Sequence, residues 1–428
     1  MEGRRIVEAA FAAWGDTHFT DTSLARVARA LGVTKQALYR HFAGKAALLD
    51  AMEGQFSDDL HRVIDEFEGE LPMVSFPRAL GRYVELLFGF FRRHPYYYLY
   101  LTLHLAGFPG NQGEPFRGVR RRHAEVLDEL LRRAGYRDPF VRGICGDFLS
   151  MSGFVWMGSC FWTEDGRMRE TIGSGEQMEA RRRLSTEIVT GGLFRDASRH
   201  VDFARLAAEA TVGPEDLPPR GPVLNAIAEV VTSEGFEHAT VEKIADRAGM
   251  SKSGLYFHFR NRAEMMARML VPEHDRMVEL VRERVLCYED FSRRLYAFLI
   301  LAGTYALRSR SILTALDWMR FHRIRMKLEE TSHYRPTFAF LADGLRQEEY
   351  RRAGVTEVEV ASYLNRLVMR PVVEEEARIR TRADVAERAR VLYRLLVSGL
   401  EGYRNEDVPD TDRTGAGVRV GNRKEYTR

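Results

Sequence analysis

Two short segments of this chain carry the same side chains in the same order, and those side chains suit contact with nucleic acid. Lys35 and Tyr39 recur as Lys252 and Tyr256, in each case 217 positions later. A lysine ammonium and a tyrosine hydroxyl both donate hydrogen bonds to phosphate oxygens, and such contacts fix a protein on a duplex. The repeat therefore indicates two copies of one phosphate-contacting element.

The similarity extends well beyond these side chains. The stretch Ile6–Leu49 aligns with Val223–Met266 without a gap, with 10 identities in 44 pairs. A spacing of about half the chain predicts two large units, because solenoid repeats run to roughly 20–50 residues.

Each copy has the pattern of a helix-turn-helix, in which one helix crosses the DNA backbone and the next lies in the major groove. That motif needs a small residue where the helices cross, a glycine at the turn and a capped short helix with an apolar anchor. The residues that fit are Ala28, Gly32, Thr34 and Leu38 in the first copy, and Ala245, Gly249, Ser251 and Leu255 in the second. Ser23 and Thr240 are predicted to cap the preceding helices.

Composition describes an ordinary globular protein, with 428 residues, 45% hydrophobic and 29% charged. The three cysteines are few and odd in number, which argues against a disulfide framework and predicts a cytoplasmic protein. We find no run of 18 apolar residues and therefore expect no membrane span. No nucleophile motif, phosphate-binding loop or metal spacing occurs, so we predict neither an enzyme nor a cofactor or metal site.

The net charge of +3 is weak evidence for nucleic acid, but basic side chains cluster beside each repeat. These are Lys35, Arg40 and Lys45 in the first copy, and Lys252, Arg260 and Arg262 in the second.

Apolar residues recur at spacings of three and four along most of the chain, which predicts an all-α fold. The stretch 211–221 is rich in proline and reads as a linker between the units. The predicted domains are helix-turn-helix heads at 1–50 and 222–267, helical ligand-binding and dimerisation bodies at 51–210 and 268–404, and a disordered tail at 405–428.

The two motifs resemble those of the tetracycline-repressor (TetR) family of bacterial transcription regulators. The shared pattern in the first copy is Gly32-Val33-Thr34-Lys35 followed by Leu38-Tyr39 and His41-Phe42, and it returns in the second copy from Gly249 to Phe259. The resemblance covers about 45 residues per unit. It implies units of nine helices, with an effector site in the middle helices and a four-helix bundle between partners. One chain with two units is then expected to form a pseudo-dimer with itself.

The resemblance also assigns roles to individual residues. It implies phosphate contacts from the side chains and helix ends of Ser23, Thr34, Lys35, Tyr39, His41, Lys45, Thr240, Ser251, Lys252, Tyr256, His258 and Arg262. Base reading is expected from the pairs Gln36/Ser253, Ala37/Gly254 and Arg40/Phe257. Because these pairs differ, the two heads should prefer different half-sites.

Aromatic side chains in the two bodies are candidates for lining an effector pocket, although stripes at helical spacing are more often core. The candidates are Phe88, Phe91, Tyr97, Trp156, Phe161, Tyr305 and Trp318. A small hydrophobic effector fits such a lining.

The sequence thus predicts a DNA-binding repressor that a small effector releases from a pseudo-palindromic operator. The alternative is a ligand-binding or protein-interaction module whose second head is structural, since Gly254 and Phe257 offer no hydrogen bonds to bases. A further association of two chains, giving four heads, also stays open.

Overall fold

The computed structural model describes residues 2–14, 23–102, 113–161, 175–217, 219–234, 238–313, 315, 338–345, 350, 352–373 and 379–406. Throughout these residues the regular secondary structure is helical, and they contain no strand. The prediction of an all-α fold built on two tandem units is confirmed.

Within the described residues, the first unit has three α-helices in its head and seven in its body. The helices are α1 (Glu2–Trp14), α2 (Leu24–Leu31), α3 (Lys35–Tyr39), α4 (Lys45–Glu70), α5 (Phe76–Arg93), α6 (Pro95–Tyr100), α7 (Glu114–Arg133), α8 (Pro139–Val155), α9 (Gly158–Phe161) and α10 (Gly175–Gly191). The break between α5 and α6 falls at His94-Pro95, because the residue before a proline disfavours the helical conformation.

A short helix, α11 (Phe203–Glu209), follows the first unit and packs against the second. The second unit repeats the order of the head. Its helices within the described residues are α12 (Pro222–Glu234), α13 (Val241–Ala248), α14 (Lys252–His258), α15 (Arg262–Leu286), α16 (Phe291–Arg308), α17 (Glu357–Val373) and α18 (Arg382–Glu406). Helical periodicity also predicts helices at 312–330 and 336–352; the first lies mostly outside the described residues, as does the tail from 407, and within the second Ala339–Gly344 forms a 3₁₀ helix.

The stretch predicted as a linker is attached firmly to the second unit. The backbone amide of Val212 donates to the Thr304 hydroxyl at 3.1 Å, and Arg308 Nε donates to the Val212 carbonyl at 2.6 Å. Pro214–Asp216 forms one turn of 3₁₀ helix. Proline and glycine exclude a long helix here, but contacts with α16 hold the segment in place.

The two units pack against each other through the ends of their bodies. Helix α10 lies along α18, and α8 contacts both α17 and α18. The backbone amide of Phe194 donates to the Leu396 carbonyl at 2.7 Å, and the Ser152 and Tyr363 hydroxyls lie 2.6 Å apart. These four helices of the two units form one buried interface.

Two glycines allow the backbones to approach closely at this interface. Gly192 and Gly399 have φ of 89° and 65°, which side chains of L-residues rarely adopt. A Cβ on Gly192 would lie 2.7 Å from the Val397 carbonyl carbon, and a Cβ on Gly399 would overlap the Thr190 carbonyl. Both positions therefore require glycine for conformational and steric reasons.

One stretch among the described residues, Pro139–Phe161, is long and apolar enough to match a membrane span, with a mean hydropathy of 1.2. Its residues Ile144, Phe148 and Leu149 are fully buried within the protein. A core helix accounts for this composition.

The body of the first unit contains a histidine whose charge should affect stability. His123 Nε2 on α7 lies 2.9 Å from the Tyr83 hydroxyl on α5, and burial lowers the pKa of His123 to about 4. The unfolded value is about 6.5, so the unfolded chain binds more protons between those two pH values. The free energy of unfolding should fall as pH is lowered from 6.5 toward 4, by about 3 kcal/mol for this residue.

Urea unfolding of the protein and of His123→Gln at pH 7 and pH 4.5 measures this effect. Glutamine keeps a hydrogen-bonding group without titrating, so the variant should lose less stability on acidification. An identical loss in both proteins would contradict the prediction.

Candidate DNA-binding interface

Both heads contain the same tight turn between their second and third helices. Gly32 and Gly249 have φ of 67°, with ψ of 25° and 29°. The next amide in each head reaches back to close the helix, from Val33 to the Ala28 carbonyl at 3.0 Å and from Met250 to the Ala245 carbonyl at 2.9 Å. A helix that ends in a left-handed glycine and this backbone hydrogen bond has a Schellman motif. The motif sets the angle between the two helices.

The third helix of each head begins at a hydroxyl cap. The Thr34 hydroxyl accepts from the Ala37 amide at 3.2 Å, and the Ser251 hydroxyl accepts from the Gly254 amide at 3.0 Å. These caps satisfy amides that the helix itself leaves unpaired. The predicted caps of α3 and α14 are confirmed.

The caps of the preceding helices differ between the heads. Thr240 accepts from the Lys243 amide at 3.4 Å, whereas the Ser23 side chain accepts no capping bond. The Arg26 amide, which a Ser23 hydroxyl would take, instead donates to the Ser23 carbonyl at 2.9 Å. Ser23 is the N-cap residue of α2, as predicted, but its side chain does not form the predicted capping bond.

The repeated tyrosines lie on the surface rather than in the core. Tyr39 is 47% exposed and Tyr256 is 45% exposed, while the phenylalanine three positions later, Phe42 or Phe259, packs against the core. The Lys35 ammonium lies 5.6 Å from the centre of the Tyr39 ring, and Lys252 lies 5.9 Å from that of Tyr256. Each head thus presents a lysine and a tyrosine together in the same geometry.

The other residues predicted to contact DNA also lie at or near the surface. The exposed ones are Ser23, Thr34, Gln36, Arg40, His41, Thr240, Ser251, Ser253, Phe257 and His258, and the partly buried ones are Ala37, Lys45, Gly254 and Arg262. Phe257 is 85% exposed, which is exceptional for a large apolar side chain. The two recognition helices therefore present the same lysine and tyrosine but different base-reading side chains.

The two heads also differ in the charges that surround the repeated lysine. Lys252 forms an ion pair with Glu242 on α13, and the matched position in the first head is Ala25. The side-chain hydrogen bond from Lys252 holds the pKa of Glu242 below its ordinary value, and the same bond raises the pKa of Lys252. The mismatch of Ala25 with Glu242 in the aligned repeat is the sequence signal for this difference.

The two motifs also differ in net charge, and again the second one is less positive. Residues 24–45 contain five basic and no acidic side chains, whereas residues 241–262 contain five basic and two acidic ones. The first head is therefore the more positive of the two, and the more attractive to a polyanion.

The first head is joined to its body by aromatic packing and a buried carboxylate. The Phe11 ring of α1 lies 4.7 Å from the Tyr97 ring of α6. The Tyr97 hydroxyl donates to the Asp59 carboxylate of α4 at 2.6 Å, and Arg4 of α1 lies 3.6 Å from that carboxylate. A displacement of α6 would therefore reach the first head directly.

The aromatic side chains predicted to line an effector pocket are buried and closely packed. Phe88, Phe91, Tyr97, Trp156, Phe161 and Tyr305 are each at most 4% exposed, and Trp318 lies outside the described residues. Phe91 and Phe161 both contact the Tyr98 ring, at 5.5 and 4.3 Å between centres. Their role in binding an effector stays a prediction.

Two cavities in the described residues lie elsewhere. One of about 10 Å³ is enclosed by α16, α17 and α18, and an open groove of about 410 Å³ runs between α11, α16 and α18. None of the six described aromatic candidates lines either cavity. The described residues contain no cluster of three or more potential metal ligands.

Two capped recognition helices, each behind a Schellman turn, define a helix-turn-helix protein with two heads. Residues 6–52 and 223–269 match the family model of bacterial regulatory proteins of the tetR family. The chain thus carries two tandem copies of the segment that this tetR-family model describes.

Two curated relatives are regulators by name. A stretch of 78 residues is 38% identical to the HTH-type transcriptional activator FasR of Mycolicibacterium smegmatis, covering 18% of this chain and 36% of that protein. A stretch of 114 residues is 25% identical to the fatty acid metabolism regulator protein of Bacillus subtilis, covering 25% of this chain and 57% of that protein. The matches thus span about a third and just over half the length of these relatives, and they support a DNA-binding regulator.

Proposed function

We propose that this protein is a cytoplasmic transcription regulator that binds one operator with two non-identical heads. The observation that carries the proposal is the repeated geometry of the recognition helices. Each has a hydroxyl cap, an exposed lysine at its first position and a half-exposed tyrosine four residues later. Lysine and tyrosine at these positions bind the backbone and fix the register on DNA.

The second part of the proposal is that the two units act as a pseudo-dimer within one chain. The packing of α8 and α10 on α17 and α18 supports it, since those helices belong to different units. Two heads on one rigid body suit half-sites about one helical turn apart, roughly 34–36 Å. Because Arg40 and Phe257 occupy matched positions, the operator is an imperfect palindrome.

The third part concerns control. We propose a repressor that a small hydrophobic effector releases by binding among the aromatic side chains of a body. Those side chains are tightly packed here, so the effector must prefer a rearranged body to shift the equilibrium. Fatty acyl compounds are the first class to test, because the Bacillus relative is named as a regulator of fatty acid metabolism.

Selection of bound duplexes from a random DNA pool, followed by gel shift against competitor DNA, tests the proposal. A single enriched site with two unequal half-sites is expected. Lys35→Ala should weaken binding to all sequences and reduce the slope of log affinity against log salt by about 0.9. Arg282→Ala, which removes a positive charge from an exposed ion pair on α15, is the matched control. Absence of any enriched sequence would exclude the proposed function.

The rival proposal is that the second head is structural. It is favoured by the ion pair that engages Lys252 and by the apolar Phe257, which offers no hydrogen bond to a base. The double substitution Lys252→Ala and Arg262→Ala distinguishes the two proposals. If the second head binds DNA, affinity falls and the protected DNA shortens by about half; if it is structural, both stay unchanged.

A further inference from the structure

We propose that Glu242 is an electrostatic attenuator that makes the second head the weaker DNA-binding partner of the first. The proposal rests on the proposed function, since it concerns how two heads share one operator. Part of the asymmetry between the two heads then comes from an acidic side chain rather than from the base-reading side chains.

The geometry places Glu242 beside the phosphate-contacting group of its head. Its carboxylate, in the first turn of α13, pairs with the ammonium of Lys252, the first residue of the recognition helix. The side chains of Glu242 and Lys252 are 50% and 53% exposed, so both lie on the surface that the recognition helix presents. Lys252 is thereby placed between the Glu242 carboxylate and the Tyr256 ring.

The first head provides the comparison that isolates the carboxylate. Lys35 lies over the Tyr39 ring at 5.6 Å, close to the 5.9 Å of Lys252 and Tyr256. The turn glycines have the same φ of 67°, and both lysines follow a capping hydroxyl. At this site the heads therefore match in turn glycine, capping hydroxyl and aromatic partner, and the change from Ala25 to Glu242 adds a carboxylate beside the lysine.

This difference acts in two ways on an approaching phosphate. First, the ion pair cancels the positive charge of Lys252. Because an exposed ion pair breaks at little cost, Lys252 can still turn toward the DNA. When it does, the carboxylate stays close to the polyanion and repels it. Fewer counterions are released by such a head, so its contribution to affinity should depend less on salt.

The test uses the full-length protein and the operator obtained by selection from random DNA. Glu242→Ala places in the second head the residue found in the first, and it should tighten binding by about threefold to fivefold at low salt. The salt slope should become steeper by about 0.9. Ala25→Glu should weaken binding by a similar factor, because it creates the same pair in the first head.

Three further variants make the result specific. Glu242→Gln removes the charge but keeps a polar side chain, and it should act in the same direction as Glu242→Ala. Glu279→Ala changes the net charge equally outside the heads and should leave affinity unchanged. In a Lys252→Ala background, the gain from Glu242→Ala should shrink. Equal melting temperatures confirm that each variant is folded.

Unchanged or weaker binding by Glu242→Ala and Glu242→Gln would overturn the proposal. Weaker binding to every sequence would show that Glu242 orients Lys252 toward phosphate. Weaker binding that depends on a single base pair would show that the Glu242 carboxylate accepts a hydrogen bond from cytosine. If the unmodified protein enriches no sequence, the proposed function fails instead, so the two failures are distinguishable.

Discussion

Gly399→Ala should lower the free energy of unfolding by about 3–5 kcal/mol and separate the two units. Gly399 lies inside α18 with φ of 65° and ψ of −173°, a conformation that strains any residue with a Cβ. The added methyl would overlap the Thr190 carbonyl at the end of α10. Neither cost can be relieved locally, because both backbones belong to buried helices from different units.

Urea unfolding measures the loss, and two controls separate its causes. Gly135→Ala also places a Cβ at positive φ, here 97°, but has no atom within 4 Å of the new Cβ, so it should lose only about 1 kcal/mol. Gly54→Ala, in the interior of α4 with open space around the new Cβ, should gain about 0.5–1 kcal/mol. A Gly399→Ala loss no larger than that of Gly135→Ala would show that the units do not depend on this contact.

Arg40→Ala should reduce discrimination at one base pair of the operator by about tenfold to a hundredfold. Arg40 lies exposed at the end of the recognition helix, where its guanidinium can make two hydrogen bonds to guanine O6 and N7. Loss of Arg40 removes both bonds at that base pair. Affinity for operators already altered there should therefore fall much less.

Binding to a set of operators with single substitutions measures this effect. Arg40→Lys keeps the charge but loses the planar fork, so it should keep the salt slope and lose most of the discrimination. Phe257→Arg places the first head's residue in the second head and should create a guanine preference in the other half-site. Equal weakening on every operator by Arg40→Ala would mean that Arg40 contacts phosphate only.

The heads could be predicted from the sequence because their determinants are local. Ala28, Gly32 and Thr34 lie within seven residues, and the turn, the cap and the helix crossing depend on side chains close in the chain. The same local residues recur without a gap in the second copy, so the sequence predicts the same geometry for both heads. Local determinants also place Ser23 at the N-cap of α2, although its side chain forms no capping bond there.

The arrangement of the units depended on contacts between residues far apart in the chain. Gly192 and Gly399 lie more than 200 residues apart, and neither sequence context shows that their backbones meet. The aromatic candidates for an effector pocket are likewise ambiguous in sequence, because helical spacing is the same for a core and for a lined cavity.

By itself, then, the sequence determined that this protein is all-α and carries two tetR-family heads with unequal base-reading side chains. Only the tertiary structure decided that the proline-rich segment is fixed to α16, that α8 and α10 pack on α17 and α18, and that Glu242 holds Lys252. The physical reason is distance along the chain: propensity and periodicity specify a helix and its buried face. They do not specify which distant surface, or which charge on a neighbouring helix, that face will meet.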